Sequence, residues 1–227
     1  INVLPPEASC VVAGLSAEAA KPYCDAAAER TGALYELKED GDDLHILSHG
    51  KGAHASTPEE GNNAITALLD LLCALPLAKV GSTAALHALN ALFPHGDCAG
   101  KALGIAQADE ISGALTLAFS LLEVTPTGLS GQFDSRVPIC ANEENCKQVA
   151  EASFTKFGLS AEGDMQEPHH TPADSPLVKT LLNCYEQYTG NKGECLAIGG
   201  GTYVHEIPGG VAFGCCMPGF NGNMHGA

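Results

Sequence analysis

Asp40-Gly41-Asp42 lies between two runs of strand-forming composition, Ala33–Glu39 and Asp43–His49, and no other stretch limits the fold as much. A connection this short folds the second run back antiparallel to the first, because a parallel return needs a crossover of about a dozen residues or more. Upstream, Pro5-Pro6 precede a β-prone strand over Ala8–Leu15. Ser16 then caps an alanine-rich helix over Ala17–Arg30 that ends near Gly32. Gly50–Gly61 reads as a polar loop. Asn62 or Asn63 caps the next helix, whose apolar face is Ile65, Leu68, Leu69, Leu72 and Leu75. Gly81–Gly104 is mixed and helical in part. Leu115, Leu117, Phe119 and Leu121 alternate as in a strand, and after Thr125-Pro126-Thr127-Gly128 a second strand runs over Leu129–Pro138. Asn142, with Glu143 and Glu144, opens another helix that Gly158 closes. The order β-α-β-β-α, followed by β-β-α-β, points to an α+β fold: a two-layer α/β sandwich with an antiparallel sheet, built of two related halves. It excludes a doubly wound parallel sheet.

The character of the chain changes near Gln166. Pro168-His169-His170-Thr171-Pro172 resembles a linker. Asp174 or Ser175 caps a helix with Pro176 in its first turn and an apolar face of Leu177, Val178, Leu181, Leu182 and Tyr185, which Gly190 ends. A short strand is expected over Val211–Gly214. The segment after the linker is too small and too rich in glycine to form a core by itself, so it is expected to complete a domain whose other part precedes Ile1.

At 45% apolar and 17% charged residues the chain is a folding one, and no apolar run reaches the ~18–20 residues of a membrane span. A formal net charge of −16 excludes nucleic acid and anionic membrane as partners, since both need a basic surface. Ten cysteines are scattered, mostly among apolar residues, without C-x-x-C spacing or a secretory signal. They read as reduced, buried small hydrophobes of a cytoplasmic protein.

Chemistry is most legible at Gly50-Lys51-Gly52-Ala53-His54-Ala55-Ser56-Thr57-Pro58. Small neighbours would expose the His54 imidazole, which can donate a hydrogen bond to a carbonyl oxygen gaining negative charge; a solvated loop histidine is the alternative. In Phe133-Asp134-Ser135-Arg136-Val137, strand parity puts Asp134 and Arg136 on one face. Arg136 there suits bidentate binding of a carboxylate, or else forms a surface pair with Asp134. Gly199-Gly200-Gly201 offers backbone N–H groups to an anion or simply turns the chain. His225 could ligate a metal, but one histidine cannot hold it. The adjacent His169 and His170 diverge and suit a linker better than a metal pair.

Asn2-Val3-Leu4-Pro5, the H-x-S-x-P loop at His54, D-x-R at Arg136, H-H-T-P at 169–172, I-G-G-G-T at 198–202 and P-G-F-N-G-N-M-H at 218–225 occur in one order. That order resembles the dinuclear-zinc dipeptidases of the aminoacylase and carnosinase superfamily, and within it the PepV type. The resemblance implies a lid, for substrate binding or dimerisation, over residues 1–167 and the C-terminal segment of an incomplete catalytic domain over 168–227. It implies that His54 stabilises the oxyanion of the tetrahedral intermediate. Asn2, Arg136, Gly200, Gly201 and Thr202 would bind the substrate carboxylate or the oxyanion, and His225 would be a zinc ligand. Two zinc ions, with manganese or cobalt as alternatives, belong to the full-length enzyme. The H-x-D pair, the bridging aspartate and the Glu-Glu pair of the family are absent here, as is the glutamate that usually follows the terminal histidine. The expectation is therefore a metal-dependent dipeptidase, on Xaa-His substrates by resemblance, as the full-length protein. The present chain would carry no zinc and no activity by itself; a homodimer is compatible. A related N-acyl-amino-acid deacylase, a tripeptidase, and a non-catalytic binding or dimerisation module are the alternatives.

Overall fold

The computed structural model describes residues 2–125 and 127–214. It opens with β1 (Val3–Leu4), β2 (Glu7–Ala13), α1 (Ala17–Thr31), β3 (Leu34–Asp40), β4 (Asp43–His49) and β5 (Ala53–His54). A 3-10 turn at Pro58–Glu60 leads into α2 (Ala64–Ala74) and α3 (Gly81–Leu92). There follow β6 (Ala108–Asp109), β7 (Gly113–Ala114), β8 (Thr116–Thr125), β9 (Gly128–Arg136), a π-turn at Glu143–Lys147, α4 (Gln148–Lys156) and α5 (Pro176–Thr189). Every strand pair is antiparallel, in one three-stranded sheet of order β2-β4-β3 and in the pairs β1-β5, β6-β7 and β8-β9.

Local chemistry fixes the helix ends. The Ser16 hydroxyl accepts the Ala19 N–H at the start of α1, and Gly32 closes it in the left-handed region at φ 69°. Asn63 accepts from Ile65 and Thr66 at the start of α2, while Ser175 accepts from Val178 at the start of α5. Helices α1 and α2 cover one face of the three-stranded sheet, with Ala20, Ala27, Leu44, Ile46, Leu68 and Leu71 at their junction. A second core gathers under β8, β9 and α4 around four phenylalanines. Phe93 stacks on Phe119 at 4.3 Å between centroids, and Phe133 and Phe154 tilt against it at 5.5 and 5.8 Å. Leu4, Ala55 and Ala118 form a small third core that seats the loop after β5 against β8.

Four expectations need correction. Gly50–Gly61 is not wholly loop, because Ala53–His54 pairs with Val3–Leu4. The alternation through Leu121 breaks at a register shift between Phe119 and Leu121. The bulge buries Ser120, leaves Leu121 51% exposed and turns Leu122 to the core. Val211–Gly214 forms no strand, since no described strand lies alongside to pair with it. The cysteines are less shielded than expected. None of the eight described ones is paired, but Cys140, Cys184 and Cys195 are exposed. Burial, reinforced by Cys24, pushes the Cys10 thiol up to about 12; burial and Asp70 push Cys73 up to about 11. No helix among the described residues is long and apolar enough to cross a membrane.

His95 ties the segment after α3 to α1 and α2. Its Nε2 lies 3.0 Å from the Thr31 carbonyl at the end of α1, and its Nδ1 lies 2.9 Å from the Thr66 hydroxyl on α2. Burial holds its pKa below the ordinary value of 6.5, against opposing contributions from the Thr31 hydrogen bond and Asp70. The unfolded chain therefore binds the proton more readily than the folded one. Stability from this group is complete above pH 6.5 and falls as the pH drops through and below that value. Denaturant midpoints between pH 8 and pH 5 should fall more steeply in the parent than in His95→Gln; equal slopes would remove His95 as the cause.

Candidate functional site

Four strands converge on one place. β1 pairs with β5, setting Val3 opposite His54, and the Ala55 N–H donates to the Asn2 carbonyl at 2.8 Å. The Thr116 hydroxyl at the start of β8 donates to the Ala55 carbonyl at 2.8 Å, and Thr116 is the register partner of Arg136 at the end of β9. The chain then returns some sixty residues later, at the glycine run. A Cβ added to Gly199 would lie 2.8 Å from the Ser56 Cβ and 3.6 Å from the Arg136 Cβ and Cγ. Glycine is required at that contact because any side chain would drive the loop off Ser56 and Arg136. At Gly200 the same construction falls 4.0 Å from Arg136 Nη1.

Within this group the His54 loop curls on itself. Ser56 Oγ stands 2.7 Å from His54 Nδ1, the Ser56 N–H donates to the same nitrogen at 3.2 Å, and the Thr57 N–H donates to the His54 carbonyl at 3.0 Å. His54 and Ser56 are both half-buried. Arg136 is locked by Asp134. Its Nε donates to Oδ1 at 2.6 Å and its Nη2 to Oδ2 at 2.8 Å, with the two side chains 24% and 15% exposed. That bidentate pair is the one strand parity allowed, and among the described residues Nη1 makes no hydrogen bond. The site's fixed charges therefore cancel in the pair, and the guanidinium keeps one nitrogen for another acceptor.

The structure thus brings together Asn2, His54, Arg136 and Gly200, and adds Ser56 and Asp134. Ser56 is the serine of H-x-S-x-P, and the sequence pattern alone gives it no role. Gly201 has no atom within 4 Å of an added Cβ, and the Thr202 carbonyl closes a turn by accepting from His205 at 3.1 Å. His225 lies outside the described residues. His169 is tethered rather than solvated: its Nε2 lies 2.8 Å from the Gly210 carbonyl and its ring 5.8 Å from that of His205. Among the described residues no group of three or more His, Cys, Asp or Glu could hold a metal ion, so they do not by themselves fit a zinc site.

Two clefts open on the surface. One of about 940 Å³ is lined by Glu59, Asp97, Lys101, Leu115 and Thr116 and so adjoins the strand that carries Arg136's partner. The other, of about 520 Å³, is walled by Leu72, Leu75, Leu77 and Leu86 of the α2–α3 region and touches none of the candidate residues.

Residues 42–142 match the peptidase dimerisation domain of the M20 peptidases. YtjP of Bacillus subtilis (strain 168), named as an inferred dipeptidase, is 33% identical over 227 residues, 99% of this chain and 48% of that protein. The Beta-Ala-Xaa dipeptidase of Lactobacillus delbrueckii subsp. lactis is 32% identical over 217 residues, 94% of this chain and 45% of its own length. An inferred dipeptidase of Staphylococcus epidermidis (strain ATCC 12228 / FDA PCI 1200) is 30% identical over 185 residues, 80% of this chain and 39% of its length. The chain spans about half the length of the first two of these relatives. The dimerisation-domain match and these alignments along nearly its whole length support membership of the M20 peptidase family.

Proposed function

We propose that the whole protein of which this chain is a part is a metal-dependent dipeptidase of the cytoplasm, with residues 1–167 as its lid and 168–227 belonging to its catalytic domain. The observation that carries the reading is the meeting of β1, β5, β9 and the Gly199–Gly200 turn around His54 and Arg136, segments far apart in sequence. The dipeptidase names of the relatives support it. In this reading His54 donates a hydrogen bond to the oxygen that becomes negative as the peptide carbonyl turns tetrahedral. Arg136, held by Asp134 through Nε and Nη2, turns Nη1 to the substrate's terminal carboxylate, with Asn2 and the N–H groups of Gly200, Gly201 and Thr202 beside it. Zinc is the metal assigned to the whole protein. The described residues supply no site for it; they bind, orient and stabilise charge. The dimerisation-domain match also supports a homodimer.

The whole protein should hydrolyse dipeptides with a free C-terminal carboxylate and lose most of that activity on the same dipeptides amidated at the C-terminus. Equal rates on both, or turnover of N-acyl amino acids with none of dipeptides, would overturn the reading.

A further inference from the structure

We propose that Ser56 is a positioning residue for His54: its backbone N–H and its hydroxyl together hold the imidazole as the tautomer protonated at Nε2. A backbone N–H only donates, and the Ser56 N–H points at His54 Nδ1 from 3.2 Å. Nδ1 must then present its lone pair, so the ring proton of the neutral imidazole sits on Nε2. The Ser56 hydroxyl, 2.7 Å from the same nitrogen, can donate to that lone pair as well. If Nδ1 carried a proton, that proton would face the Ser56 N–H, and the amide donor would lose its acceptor in a half-buried loop.

Three further contacts keep Ser56 in place. The glycine run presses on it, with an added Cβ at Gly199 falling 2.8 Å from the Ser56 Cβ. Behind it the Ala55 carbonyl is held by the Thr116 hydroxyl and the Ala55 N–H by Asn2. The loop therefore fixes Nε2 as the donor edge of the neutral His54 ring. An oxyanion site needs that arrangement, because a donor of fixed position costs no reorganisation as charge develops. The tautomer stands on this geometry; its catalytic meaning rests on the dipeptidase reading above.

The test is a long-range proton–nitrogen correlation spectrum of the whole protein labelled with nitrogen-15 histidine, near pH 8, with the His54 signals assigned by their loss in His54→Gln. The parent should show His54 protonated at Nε2 and bare at Nδ1. Ser56→Ala keeps the amide but drops the hydroxyl, and should raise the Nδ1-protonated share by about fivefold, the factor one ordinary hydrogen bond sets. Ser56→Thr, which keeps a hydroxyl, should restore the parent spectrum. A parent protonated at Nδ1, or a share unchanged in Ser56→Ala, overturns the proposal. The two readings fail separately: a wrong tautomer sinks this one, whereas a whole protein with the expected tautomer and no dipeptide turnover sinks the dipeptidase reading.

Discussion

His54→Ala in the whole protein is expected to lower kcat for dipeptide hydrolysis by about 10²–10³-fold, the usual loss on deleting one oxyanion donor, with KM within about twofold of the parent. The split follows from when the hydrogen bond is made. A carbonyl oxygen in the bound substrate carries little charge, so a donor aimed at the later oxyanion contributes little to ground-state binding. Arg136 should behave in the opposite way, because a carboxylate carries its charge before and throughout the reaction. Asp134 binds two nitrogens of Arg136 at 2.6 and 2.8 Å, so a loosened guanidinium should appear chiefly in KM. Steady-state kinetics on one dipeptide separate the two patterns. A kcat for His54→Ala within about twofold of the parent would make the histidine a bystander.

The largest stability effect is expected at Phe93. Its ring is 3% exposed and touches the rings of Phe119, Phe133 and Phe154 at centroid distances of 4.3, 5.5 and 5.8 Å. Phe93→Ala removes an entire side chain from a place walled by three other rings on β8, β9 and α4. These elements are paired or packed elsewhere and cannot collapse into the gap. The loss should be about 3–5 kcal/mol by denaturant unfolding. Tyr203→Ala is the matching control, since Tyr203 is 99% exposed and its removal should change stability by less than about 0.5 kcal/mol. A loss below about 1 kcal/mol at Phe93 would mean that the four-ring cluster does not hold the second core together.

What could be read from the sequence was local. The caps at Ser16, Asn63 and Ser175 and the turn at Asp40–Asp42 depend on a few neighbouring residues, and the helices and hairpin they define fall within a residue or two of expectation. The pair Asp134–Arg136 followed from strand parity for the same reason. Non-local features were not legible. Ala53–His54 becomes strand only because Val3–Leu4, about fifty residues earlier, lies beside it. The bulge at Ser120 shifts the inward residue from Leu121 to Leu122, and nothing in an alternating run reveals an extra residue. Val211–Gly214 has strand-like composition, but strands form in pairs and no described strand lies next to it. At the candidate site, the motif was visible while its working parts were not. Ser56 matters through the curl that returns its amide to His54, and Gly199 through a contact with residues more than sixty positions away.

Asn63 carries two duties on one amide. Its Oδ1 accepts the Ile65 and Thr66 N–H groups at the head of α2, and its Nδ2 donates at 2.7 Å to the Phe119 carbonyl, beside the register break in β8. Aspartate would serve the helix head at least as well, since it is a strong cap and its charge suits a helix N-terminus. It cannot donate to Phe119, and would set a negative oxygen against that carbonyl. Conversion of this asparagine to its isosteric acid, by mutation or by chemical ageing of the amide, therefore tightens one joint while opening the other. The seam between the first sheet's helices and the strand that leads to Arg136 is where such wear would first be felt.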